Sequence, residues 1–204
     1  MSSFVGAPVL KEDWERLFEA VEKEDLQSIE TLAAPETLLM SNGHSMTPLG
    51  WAVKHSKARS VKALLSCGAD PNSKAHWVGG ASPLAVASKM GAFDCVAALV
   101  DAGADIEAGD ARGRTPLLLA SLALKAATVE LLLDGGASRE AVDSDGRGAL
   151  ELSVLGEKFT SSFNSSAKGA SQAVFAAFDR SALSSELGAA VPERANRCET
   201  ERRL

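Results

Sequence analysis

An all-α solenoid of stacked helical hairpins is the fold class this sequence predicts, and three observations carry the prediction. Thr47-Pro48-Leu49 recurs as Ser82-Pro83-Leu84 and Thr115-Pro116-Leu117, at offsets of 35 and 33 residues. Gly68-Ala69-Asp70 recurs as Gly103-Ala104-Asp105 and Gly136-Ala137-Ser138 at the same two offsets. A small residue keeps one register through Ala20, Ala52, Ala87, Ala120 and Ser153. Self-similarity at a fixed period marks a chain whose units cannot bury an apolar face alone and must stack on one another.

One unit shows why the pattern is a helical hairpin. Ser82 or Thr115 offers a side-chain oxygen to the orphan amides of a helix start, and the following Pro has its φ already fixed for the first turn. Leu84, Ala87 and Ser88 then share a face at i, i+3, i+4 spacing. Gly91 interrupts the run before a second helix carrying Val96, Leu99 and Val100. Gly103 stands where that helix must stop and a positive φ is favoured. Residues 105–114, with Asp110 and Gly113, have turn composition.

Taken in order, residues 1–12 read as an N-terminal extension and 13–46 as the first unit. It has two helices but no Thr-Pro opening. Its Glu15, Glu19, Glu22, Glu24 and Glu30 suit a terminal unit with water on one side, so it is expected to be an N-terminal cap. Residues 34–46, with Pro35 and Asn42-Gly43, read as a turn-bearing leader. The second unit, 47–81, carries Trp51 on its first helix. Its finger is two residues longer than the next, since Asp70 to Ser82 spans 12 positions where Asp105 to Thr115 spans 10. The third unit is 82–114 and the fourth 115–147. The fifth, 148–187, opens at Gly148-Ala149-Leu150, and a Ser-rich insertion at 158–172 reads as a loop. An amphipathic helix at 173–187, with Val174, Phe175, Phe178 and Leu187, is expected to complete it as a C-terminal cap. Residues 188–204 form a charged tail.

A period of about 33 residues with T-P-L openings resembles the ankyrin repeat family, here as about five diverged repeats. The resemblance implies that each connecting segment is a short β-hairpin finger. It also implies that ligands are taken on the concave side, near the ends of the first helices. The family pattern usually places His after T-P-L. Gly50, Ala85 and Leu118 stand there instead, so the hydrogen-bond network that His supports is not expected.

Composition narrows the function. With 46% hydrophobic and 24% charged residues the chain can build a core. A net charge of −6 argues against nucleic acid as the main partner, because phosphate-backbone binding needs a basic stripe that displaces counterions. No apolar run approaches the length of a membrane span, and the start has neither a secretory nor a mitochondrial pattern. Cys67, Cys95 and Cys198 are odd in number and out of register, which suggests reduced thiols and a cytoplasmic or nuclear location.

Catalysis and cofactors find no footing, and neither a metal nor a small-molecule substrate is expected. Asp143-Ser144-Asp145-Gly146 resembles part of a calcium loop, but alignment on Gly146 would make Ala141 and Leu152 the first and twelfth ligands. A finger turn in which Asp accepts nearby amides is the better account. His44, His55 and His76 have no Cys or carboxylate at ligand spacing and are expected at the surface. There is neither a phosphate-cradling Gly-rich loop nor a G-x-S-x-G elbow.

The expected activity is therefore non-catalytic binding of another protein, as a subunit or assembly factor of a larger complex. The alternative is a self-contained regulator or inhibitor of one enzyme, with the C-terminal helix as a switch. Lys89, Leu122 and Leu155 are equivalent, each 33 residues from the next, and Met90 and Ala123 adjoin them. By the resemblance they line the concave side. Leu122 and Leu155 have two readings, core or an apolar strip awaiting a partner. On the fingers the candidates are His76 and Trp77 in the long one, then Arg112 and Asp145; a Trp in an extended loop suits an interface anchor.

Overall fold

Residues 11–39, 41, 46–73, 80–161 and 169–189 are described by the structure, a computed structural model. Among them the helices run α1 (Lys11–Lys23), α2 (Leu26–Leu32), α3 (Pro35–Leu39), α4 (Pro48–Lys54), α5 (Ala58–Ser66), α6 (Pro83–Met90), α7 (Phe93–Asp101), α8 (Pro116–Leu122), α9 (Ala126–Asp134), α10 (Ala149–Ser161) and α11 (Ala170–Ala189). Five hairpins result, α1/α2, α4/α5, α6/α7, α8/α9 and α10/α11, with α3 between the first two. The first helices α1, α4, α6, α8 and α10 pack successively in one layer, and α2, α5, α7, α9 and α11 in a second. This is the all-α repeat solenoid that the periodicity predicts.

The starts of the middle hairpins form as their sequences require. Thr47, Ser82 and Thr115 each cap a helix, their side-chain oxygens accepting from Gly50 N, Ala85 N and Leu118 N at 3.2, 3.2 and 3.4 Å, with Pro in the first turn. The fifth hairpin lacks that cap. There Glu151 reaches back and accepts from Gly148 N at 3.3 Å, half of a capping box. At the far end of the second helix, Gly103 has φ 79, as expected of a residue that stops a helix in the left-handed region.

The turn between the two helices of a hairpin is less uniform than Gly91 suggests. Gly91 (φ 72) has Glu24, Ser56 and Leu124 as its counterparts, at φ 55, 53 and 58. The same left-handed corner is thus made four times, three of them with a side chain that the conformation disfavours. The neighbouring hydrogen bonds hold it: Ala92 N to Ala87 O and Lys125 N to Ala120 O close the corner at 3.0 and 2.9 Å.

Between the layers lies one continuous core, including Leu17, Val21, Ile29, Leu49, Leu64, Leu84, Leu99, Leu118, Leu132 and Leu152. The small-residue series explains how closely the layers approach: Ala52, Ala87, Ala120 and Ser153 have no exposed surface and Ala20 very little. At the N-terminal end Glu15, Glu19, Glu22 and Glu30 are exposed and Glu24 half-exposed, as a terminal unit requires.

Three expectations change. Pro35 does not mark a turn but opens α3, where Thr37 Oγ1 accepts from Ala34 N at 2.8 Å and ties the helix start. The Ser-rich insertion is shorter than composition suggests: α10 continues through Lys158 to Ser161 and α11 already begins at Ala170, with 162–168 outside the described residues. Thr160 Oγ1 donates to Gly156 O at 2.9 Å, a back-bond that satisfies the hydroxyl within the helix. Glu157 on α10 accepts from Gly169 N, Ser171 N and Ser171 Oγ, fastening the start of α11 and holding its own pKa below the usual carboxylate range. Lastly, the fingers reverse like hairpins but carry only one isolated antiparallel bridge among the described residues, Val142 with Gly148. Aspartate side chains take amides that a strand ladder would otherwise pair.

Candidate functional site

The fingers are built from a repeated Asp-x-x-Gly-Arg segment, Asp110 to Arg114 and Asp143 to Arg147. Asp110 Oδ1 accepts from Arg112 N at 2.9 Å and Arg114 N at 3.0 Å, and its Oδ2 holds the Arg114 guanidinium at 2.6 and 2.9 Å. Asp143 repeats this, taking Asp145 N and Arg147 N at 3.0 and 2.9 Å and Arg147 at 2.8 and 3.0 Å. At 143–146 these bonds form the finger turn, with Asp143 accepting nearby amides.

Their effect on the acids is direct. The Arg147 guanidinium, with the amides behind it, holds the Asp143 carboxyl below its ordinary pKa. At Asp110 burial pushes the pKa up, but the bonds from Arg114 and the turn amides outweigh it and the net shift is downward. Adjacent fingers are latched together by Ser144 N to Arg112 O at 3.0 Å, Asp105 N to Asn72 Oδ1 at 2.7 Å and Ser138 N to Glu107 Oε1 at 2.7 Å. Arg114 and Arg147 are therefore held at fixed positions on their fingers.

Between the fingers and the first helices lies a groove made of two concavities. One, of about 410 Å³, is lined by Lys54, Ala85, Val86, Lys89, Met90, Asp110, Arg114 and Leu119. The other, of about 480 Å³, is lined by Arg112, Arg114, Leu122, Arg147, Leu155, Gly156 and Phe159. Arg114 borders both. The floor is apolar and the rim cationic: five Lys or Arg side chains face one carboxylate, in a chain of net charge −6.

Five of the residues singled out from the sequence meet in this groove: Lys89 and Met90 in the first concavity, Arg112, Leu122 and Leu155 in the second. Leu122 and Leu155 combine their two readings, since each is half-buried, packing inward on the core while lining the groove. Ala123 is half-buried at the end of α8 and lines neither concavity. Asp145 is exposed on its finger and engages Arg147. His76 and Trp77 lie outside the described residues.

Sequence reasoning missed Arg114, Arg147 and Phe159. The two arginines were visible as a repeated i, i+4 Asp–Arg pair 33 residues apart. Phe159 was hidden in the segment read as a loop. It is 62% exposed, and Met90 42%, so both offer large apolar surface to the groove.

The rest of the surface has less chemistry. His55 is exposed, as expected, and its ring lies tilted against Trp51 at 4.3 Å between centroids. His44 lies outside the described residues. Cys67 and Cys95 are free thiols; burial pushes Cys95 up to about 11, so it is protonated near neutrality. Cys95 sits on α7 as expected, whereas Cys67 caps the end of α5. Among the described residues no group of three or more His, Cys, Asp or Glu is arranged to hold a metal, and no helix is long and apolar enough to cross a membrane.

Comparison with known proteins fits this architecture. A search of curated proteins returns no significant match. Residues 17–110 match the family model described as Ankyrin repeats (3 copies), a family whose members generally bind other proteins and are generally not catalytic. Residues 17–110 are thus ankyrin repeats, and hairpins of the same build continue beyond the matched region through α8/α9 and α10/α11.

Proposed function

We propose that this chain is a non-catalytic protein–protein interaction module that takes its partner in the groove between the first helices and the fingers. The observation that supports this best is the groove itself. Half-buried leucines and two large exposed apolar side chains form its floor, and five cations, two of them arginines held by aspartates, form its rim. Such a surface suits a protein segment, because apolar burial supplies affinity while the rim fixes register. No convergence of nucleophile, base and oxyanion donors accompanies it among the described residues.

The chain's role as a subunit or assembly factor of a larger complex belongs to this proposal. The alternative, a single-enzyme inhibitor switched by α11, is less favoured. Val174 and Ala177 of α11 are fully buried, Arg180 pairs with Glu130 at 3.1 Å, and Arg139 donates to Phe178 O at 3.0 Å. Leaving that site would expose core.

The test is affinity capture with the full chain and with Lys89→Glu/Phe159→Asp, followed by mass spectrometry and stoichiometry. Several subunits in fixed ratio, lost with the variant, support the complex reading. A single enzyme inhibited by the chain supports the alternative. Partners retained by the variant refute the groove. The free thiols make the cytoplasm or nucleus the proposed compartment; imaging of a tagged chain checks this, and a secreted product would contradict it.

A further inference from the structure

This inference rests on the groove reading and specifies the chemistry of its occupant. Two residues after each member of the small-residue series, the solenoid presents Glu22, Lys54, Lys89, Leu122 and Leu155. Glu22 and Lys89 are exposed and the other three are half-exposed. The strip is thus ordered: an acid at the N-terminal end, two bases in the middle, two leucines at the C-terminal end.

The free charge lies on the third unit and on the finger that follows it. Arg114 and Arg147 are already held by Asp110 and Asp143. The side chains of Lys89 and Arg112, by contrast, are exposed and have no ion-pair partner among the described residues. Beyond Leu122 and Leu155, Phe159 continues the apolar end.

We propose that the occupant is a segment of another protein with an acidic block adjoining an apolar block. The acidic block lies over Lys54, Lys89 and Arg112, and the apolar block covers Leu122, Leu155 and Phe159. Carboxylates match the unpaired ammonium and the guanidinium fork, which takes a carboxylate in two bonds. Packed helices are spaced about 8–10 Å apart, so the three steps from Lys54 to Leu155 span roughly 25–30 Å. An extended segment rises about 3.3 Å per residue and needs roughly eight or nine residues to cover them. The order along the solenoid axis follows from the strip. An acidic block at the Leu155 end would meet apolar carbon and Arg147, whose charge Asp143 already answers, and an apolar block on Lys89 would strip water from an unpaired charge.

The experiment pans a random twelve-residue peptide display library on the full chain and measures the selected peptides by fluorescence anisotropy. The proteins compared are wild type, Lys89→Glu/Arg112→Glu and Phe159→Asp. All three altered positions are exposed, which favours folded variants, and circular dichroism confirms that they fold. Selected peptides are expected to carry adjoining acidic and apolar blocks. They should weaken roughly tenfold or more with each variant, and Glu→Lys peptides should regain affinity for Lys89→Glu/Arg112→Glu. Peptides without an acidic block that still depend on Phe159 overturn the charge order and leave the groove reading standing. Peptides indifferent to every variant, or a library yielding no groove-dependent binder, overturn both. Purely acidic binders displaced by inorganic polyphosphate would show a polyanion site and overturn the proposal.

Discussion

Gly156→Ala sets two physical effects against each other. Gly156 lies in the interior of α10, where alanine is the better helix former by about 1 kcal/mol, so propensity alone predicts a gain. The packing predicts a loss. A Cβ built on Gly156 would overlap the carbonyl oxygen of Leu122 and lie 3.0 Å from its carbonyl carbon and 3.5 Å from its Cα. All three are backbone atoms at the end of α8, which cannot swing aside as a side-chain tip can. Relief requires α10 to move off α8, and overpacking of this kind costs about 1–3 kcal/mol, occasionally more. An overlap with backbone atoms belongs at the upper end of that range, about 2–3 kcal/mol, so the clash should win and leave Gly156→Ala less stable by about 1–2 kcal/mol. Urea unfolding followed by circular dichroism measures the total, and amide hydrogen exchange locates it. Exchange should rise in α10 and α11 and stay unchanged in α4 to α7, because each unit of a solenoid leans only on its neighbours. A variant as stable as wild type, or more so, would show that α10 does not sit on the Leu122 carbonyl and that the second concavity is misshapen.

Leu99→Ala, at a fully buried position of α7, should cost about 2–5 kcal/mol in the same denaturation assay; a cost under about 1 kcal/mol would put Leu99 at the surface. Ser56→Gly should raise stability by roughly 0.5–1 kcal/mol, since Ser56 is exposed at φ 53 and glycine relieves the left-handed strain at some entropic cost; a loss would mean the hydroxyl or Cβ has a role there. Asp110 and Asp143 have folded pKa values below their unfolded ones. The stability they contribute is therefore fully present above the unfolded value of about 4 and lost as pH falls through the folded value. Melting temperature against pH should accordingly gain little from these two acids between pH 7 and 5 and fall more steeply below about 4, and Asp143→Asn should flatten the acid limb. An unaltered acid limb in Asp143→Asn would contradict the Arg147 pairing.

How far the sequence could be read depends on which parts of the chain are constrained by repetition. Thr-Pro openings, the Ala20-to-Ser153 series and the Gly-Ala-Asp stops are local rules repeated in register, so the helices, their caps and their stacking were legible. Gly156 was not. Its meaning comes from a backbone in the neighbouring unit, and glycine inside an amphipathic pattern looks like a weak point. Ser56 and Leu124 show the converse, a corner that glycine marks in one unit and hydrogen bonds impose in the others. At the site, the equivalence of Lys89, Leu122 and Leu155 located the groove floor. The rim arginines needed the Asp–Arg pairing to be weighed together with the fingers' turn, and Phe159 needed the true end of α10, which serine-rich composition concealed.

Whether the groove is where a partner sits is tested most directly by site-specific photo-crosslinking in cells that express the chain. Met90, exposed on the groove, and Ala102, exposed at the end of α7 beside α5 in the second helix layer, are each replaced in turn by a photoreactive amino acid. The account predicts that position 90 yields a discrete covalent adduct with one protein species and that position 102 yields none. A discrete adduct at position 102 with none at position 90 would contradict it.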